Sequence, residues 1–359
     1  MVRLILFIFL LLPLCVCAEV SIKELGRNAL TVIVSEVSNR DSDVRALSCE
    51  ILGEIGNRSA VKLLKERLSD PSKYVQISAA GALYKLGNKD GLSTLLGIIK
   101  NVPGRKPILN DPLLQMKVIS HNKIREKAIE VFAQLVRKKS MKLLYALKRD
   151  EYGIVRDAAS RQLAKLGDEE EIKKFIYALG DEDEGIRYEA ARSLARICSD
   201  DSLHALKNQI KIETSIRVKI AILDSFLCVR KKKKIMMEML KLSLSMNPTI
   251  KFKAVSVLSE IKQKGLPEKL EDIYRENKDL GVKLAAMKGM VLNGSRPDIS
   301  LIKSGMRAKE EEIKELLLDL LELLSFQKAK PFLIDLLKDP NYKIRLYAAG
   351  QILKRLAKK

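Results

Sequence analysis

Apolar positions in this chain fall on one helical face, and the face itself recurs about every 31 residues. A β-branched apolar residue marks each recurrence: Val44, Val75, Ile124, Val155, Ile186, Ile216, Ile250, Val282, Ile313 and Ile344. Successive marks stand 31, 49, 31, 31, 30, 34, 32, 31 and 31 residues apart. Four positions on, the residue is Ala in seven of ten cases; eight on, it is a large apolar residue in every case but Asp224. Offsets of 0, 4, 8 and 11 share one face of an α-helix, so each mark predicts a helix with an apolar stripe. The small fourth position lets a neighbouring helix approach closely. Asp224 puts a carboxylate on that stripe, which requires a partner or a local shift of register.

The edges of these helices are also written in the sequence. Asp70, Asp150, Asp181 and Asp339 stand five before their marks, with Pro71 and Pro340 next in two of them. That order predicts an N-cap followed by a first-turn proline. Gly56, Gly87, Gly167 and Gly294 stand twelve after, where a left-handed glycine ends a helix. Stretches such as 60–68 and 330–337 predict a further helix before each marked one. A helix pair repeated at fixed period is the signature of a solenoid.

The runs 150–167 (DEYGIVRDAASRQLAKLG) and 181–197 (DEDEGIRYEAARSLARI) resemble HEAT repeats, most nearly the short kind of about 31 residues named after phycobilisome lyases. The resemblance covers nearly all of 21–359. It implies an all-α, right-handed solenoid of about ten helix pairs, with the second helices lining the concave side. Ten layers at ~8–10 Å each give a stack about 80–100 Å long.

Directly after each mark stands a base in nine of ten repeats. Arg45, Arg125, Arg156, Arg187, Arg217 and Arg345 are expected to pair with an Asp of an adjacent turn as a structural ladder, in preference to forming a charged track in the groove. Such a ladder neutralises itself, so it leaves the formal net charge of +21 unexplained. The surplus is concentrated in Arg230-Lys231-Lys232-Lys233-Lys234 and, more weakly, Arg137-Lys138-Lys139. Consecutive bases repel one another and favour anionic partners. No aromatic residue stands among them, so single-strand base stacking is unsupported.

The 49-residue interval carries an insertion, expected as a loop at about 101–121 with three prolines, one glycine, Arg105 and Lys106. Insertions in solenoids often lie on a binding face. Arg105, Lys106 and Arg230 to Lys234 are therefore the candidate partner-binding residues.

Residues 1–18 read as a secretory signal peptide: Arg3, an apolar run from Leu4 to Leu12, Pro13, then Val16-Cys17-Ala18 before Glu19. The rest, 19–359, is the solenoid, with no later run long enough to span a membrane. The expected place is the periplasm or cell envelope, with lipidation at Cys15 as an alternative. Cys49, Cys198 and Cys228 follow the signal, an odd and sparse set. Helix axes ~8–10 Å apart exceed the Cα separation of a disulfide, so Cys198 and Cys228 are expected as buried thiols rather than a bridge.

Enzyme chemistry finds little foothold. His121 and His204 are the two histidines, and neither precedes Glu as the di-iron HEAT hydroxylases require. No CxxC, HExxH, phosphate loop or nucleophile elbow occurs, and no cofactor, metal or small-molecule substrate is expected. The resulting expectation is an exported, non-enzymatic scaffold binding a protein through its concave face and insertion. The alternatives are an electrostatic binder of an anionic polymer, lipid headgroup or nucleic acid, and less favourably a lyase-like enzyme.

Overall fold

A computed structural model describes residues 21–102, 112–229 and 231–357. Among them are twenty α-helices in ten consecutive pairs, and no strand. The first helices are α1 (Ile22–Glu36), α3 (Val61–Arg67), α5 (Gly91–Lys100), α7 (Met141–Leu147), α9 (Glu169–Ala178), α11 (Leu203–Ile212), α13 (Met236–Leu242), α15 (Leu266–Glu276), α17 (Ile299–Arg307) and α19 (Phe326–Leu336). The marked helices are α2 (Ser42–Ile55), α4 (Lys73–Lys85), α6 (Pro112–Val136), α8 (Gly153–Lys165), α10 (Glu184–Ile197), α12 (Ile216–Cys228), α14 (Pro248–Leu258), α16 (Leu280–Leu292), α18 (Glu311–Leu323) and α20 (Tyr342–Ala357).

Each marked helix packs against the marked helices before and after it, from α2 on α4 through to α18 on α20. The series does not stop there. α20 packs against both α1 and α2, so the tenth layer lies on the first and the solenoid is a closed ring. The 80–100 Å stack expected from layer spacing is thereby corrected, because the layers curve until their ends meet. At this seam Arg345 Nη2 lies 3.1 Å from Glu36 Oε1, and Lys354 Nζ lies 2.6 Å from Glu54 Oε2. Two glycines permit the approach. A Cβ on Gly350 would stand 3.0 Å from the Ile51 Cγ2 methyl, and one on Gly26 would stand 3.1 Å from Leu356 Cδ1. The buried core runs across the seam, joining residues of the first two repeats to those of the last. A second cluster centred on α6 and α8 completes the arc.

The four left-handed glycines stand where the sequence places them, with φ of 80°, 82°, 96° and 101° at Gly56, Gly87, Gly167 and Gly294. The aspartates five before the marks do not cap. Helices α4, α8, α10 and α20 each begin three residues later, and each Asp instead accepts from the backbone N–H two residues on. Those carboxylates belong to the turn, which leaves three of them facing the preceding repeat.

Three further expectations change. The insertion is not a loop throughout: residues 112–121 are helix, extending α6 to twelve residues before Ile124, about 18 Å at 1.5 Å per residue. Residues 103–111, with Arg105 and Lys106, lie outside the described residues, as do Arg230 and the signal segment 1–18. In the sixth repeat the stripe is displaced by two, so that Val218 and Ile222 are buried while Ile216 is 52% exposed. Asp224 consequently leaves the core and reaches Lys253 of α14 at 2.5 Å. Lastly, Cys198 and Cys228 form a disulfide with Cα atoms 5.3 Å apart. Axis spacing misleads here because both cysteines end their helices, and Cys198 turns out into the left-handed region at φ 59°.

Candidate binding surfaces of the ring

The base after each mark builds the ring's internal frame. Arg45 Nη2 meets Asp70 Oδ1 at 2.8 Å, Arg125 Nη2 meets Asp150 Oδ2 at 2.6 Å, and Arg187 Nε meets Glu213 Oε2 at 2.9 Å. Lys314 meets Asp339 at 2.5 Å in the same way. Each acid stands at the end of the first helix of the following repeat or in the turn just after it, and Arg345 obeys the same rule by reaching Glu36 of the first repeat. The guanidinium has a second task. Arg45, Arg156, Arg187 and Arg345 donate through Nη1 to the two carbonyls five and six positions earlier, closing their own turn. Gln76 keeps part of this, donating to Asp70 O at 2.6 Å.

Arg156 binds only that turn among its described contacts. Arg217 leaves the ladder, correcting the expectation for it: its guanidinium lies 3.6 Å from the Tyr188 ring centroid. The two-residue shift of its helix is the cause, since Val218 has taken the buried mark. Electrostatics follow the pairing. Burial alone would raise the Glu213 carboxyl, but hydrogen bonds from Arg187, Gln209 and the Ser215 N–H hold it down at about 2. Asp70 and Asp150 are lowered by the same balance, desolvation being outweighed by Arg45 and Arg125. These residues are framework, with donors and acceptors already satisfied.

The concave side is identified by a contact that skips a layer. Arg196 on α10 bonds Glu126 on α6 at 2.6 Å, past the intervening α8, as the inner side of a curved stack allows. Arg161 of α8 bonds the same carboxylate. These residues line a cavity of about 390 Å³ with Lys123, Asp157, Glu189 and Arg192, a wall of mixed charge. A larger cavity of about 530 Å³ lies on the arc containing the seam, lined from α12 and α14 through to α20 and α2.

Two exposed features lie outside these cavities. On the α6 extension Leu113 and Met116 are 72% and 64% exposed, with Ile119 also exposed, one helical turn apart. Single exposed apolar residues are ordinary, but an apolar face on an exposed helix is a common mark of an interaction site. The basic turn after α12 exposes Lys231, Lys233 and Lys234, whereas Lys232 is drawn into a 2.5 Å pair with Glu260. The sequence reading missed the amphipathic extension, although Leu113, Met116 and Ile119 at helical spacing carried the signal. Among the described residues no helix is long and apolar enough to cross a membrane, and no cluster of His, Cys, Asp and Glu is placed to hold a metal.

Paired helices, stacked by an Arg–acid ladder, with small residues at the helix contacts, define an α-solenoid of the HEAT class. The family model for HEAT repeats matches residues 30–106 and 140–226, and those two stretches are HEAT repeats. No curated protein is significantly similar to it. Among solved structures it is similar to the complex of CpcE and CpcF of phycocyanin lyase from Nostoc sp. PCC7120, at 17% identity and a TM-score of 0.38, over 72% of this chain and 94% of that one. It is also similar to human deoxyhypusine hydroxylase in complex with glycerol, at 11% identity and a TM-score of 0.31, over 75% and 96%.

Proposed function

We propose that this protein is an exported, non-enzymatic scaffold that holds a protein partner against its concave face and the α6 extension. The observation that carries the reading is the apolar face of residues 113–119, presented on the exposed extension of α6. A ladder whose charges are internally matched supports it too, since the framework leaves the concave wall free for recognition. The disulfide between Cys198 and Cys228 suits an oxidising compartment, in keeping with a signal peptide at 1–18.

The test is affinity purification of the tagged protein from its native source, washed in parallel at low and high salt. A defined protein retained through high salt, and lost when Leu113, Met116 and Ile119 are replaced by Ser, is the expected result. Recovery of polyanions or lipids alone, released by salt, would overturn it. The site would then be the exposed Lys231, Lys233 and Lys234.

A further inference from the structure

The chain is strongly basic, yet the 530 Å³ cavity on the seam arc is acidic. Six carboxylates line it against two lysines, and the lysines are already committed. Lys288 lies 3.0 Å from Asp319 and 3.8 Å from Glu260, and Lys354 lies 2.6 Å from Glu54. Glu312, Glu315 and Glu322 have no ion pair among the described residues. With Asp319 they form a stripe at spacings of three, four and three along α18, about 15 Å of one helix face. Like charges one turn apart weaken a helix, so folding does not account for this row. Burial and the neighbouring Glu311 push the Glu315 carboxyl up from its ordinary value, a mark of crowded negative charge.

The floor beside the stripe is apolar, with Leu227 from α12, Phe252 from α14 and Leu316 from α18 itself. Gln351, on the same wall, donates through Nε2 to Leu318 O while its buried Oε1 has no hydrogen-bond partner. The carboxylates are strung along the helix rather than gathered at one point, and no described cluster is arranged for a metal. A small polyamine would satisfy the charge but leave the apolar floor wet. Charge and floor together fit a peptide carrying both lysine or arginine and bulky apolar side chains.

We infer that the cavity at the ring seam binds a cationic amphipathic segment of a partner protein, its bases on the α18 carboxylates and its apolar side chains on the Phe252 floor. This rests on the proposal that the concave face holds the partner, and names that partner's chemistry. The cavity depends on ring closure, because Ile51 and Glu54 come from the first repeat and Tyr347 and Lys354 from the last.

The test uses purified protein and a short fluorescent peptide of lysine and leucine, followed by anisotropy. Glu312→Gln with Glu315→Gln should weaken binding by about tenfold or more. Glu169→Gln with Glu170→Gln on α9, outside the cavity, should leave it unchanged. A thermal melt checks folding, and removing like-charge repulsion should not lower it. Unchanged affinity in the α18 variant overturns the inference. So does spermine binding as tightly as the peptide, or a glutamate and leucine peptide binding equally well. A photo-crosslinker at Ser256→Cys, used in extract of the native source, separates the two failures. A partner captured equally with and without the α18 substitutions keeps the scaffold and removes the charge recognition. No capture in either removes the scaffold itself.

Discussion

Arg345 and Glu36 stand 309 positions apart in sequence and 3.1 Å apart in the ring. They make the same contact that Arg45 makes with Asp70 between adjacent repeats, so the seam is built as an ordinary layer. A zero-length carbodiimide crosslink between Lys354 and Glu54 should therefore form within the monomer and be found by mass spectrometry. Gly350→Leu, which drives a side chain into Ile51, should abolish that crosslink and enlarge the particle in small-angle scattering. An intact crosslink in this variant, or none in the parent, would rule out the closed ring.

Buried and exposed rungs of the ladder should differ in worth. Arg125 is 1% exposed, and Arg125→Ala would strand the Asp150 carboxylate, at a cost of about 3–5 kcal/mol in urea unfolding. Arg156, exposed and bound to its own turn, should cost no more than ~1 kcal/mol when changed to Ala. Equal losses would show that burial does not grade the ladder.

Glu213 sets a pH dependence. Its carboxyl titrates at about 2 in the fold and near 4.5 when unfolded, so the stabilisation is fully present above 4.5 and is lost as the pH falls toward 2. The loss is on the order of 3 kcal/mol. Unfolding free energies measured between pH 5 and 2.5 should fall less steeply in Glu213→Gln than in the parent. Parallel slopes would remove Glu213 as the source.

Thiol counting tests the bridge. In the chain from residue 19 onward, native protein should show no fast-reacting thiol, because Cys49 is buried and its thiol is pushed up to about 12 by desolvation. Denaturant should reveal one thiol, and denaturant with reductant three. Breaking the link, which spans 30 residues, should cost roughly 3–4 kcal/mol. Three thiols without reductant would refute it.

The architecture was legible because each helix face must be buried by its neighbour at every repeat, and that demand is periodic. Val44, Ala79, Leu163 and Gly167 all declare their places. What the period conceals is curvature. Closure depends on small displacements accumulated over ten layers and on two glycines, Gly26 and Gly350, that look like any others in the sequence. Arg217 was misread because a two-residue slip in α12 moves it off the ladder without breaking the apolar pattern, although Asp224 on the stripe already pointed to such a shift. The acidic row on α18 was plain as a string of letters, yet it became a cavity wall only once α20 and α2 stood beside it.

An open solenoid can lengthen or shorten by duplicating or losing a unit, since its ends need only be capped. This ring has no such latitude. Arg345 finds Glu36 only if the turning angles of ten units sum to a full circle, so an eleventh would pry the seam apart and a ninth would leave it gaping. The number of repeats is thus a structural constant here, and variation among descendants of this chain is confined to what each repeat displays.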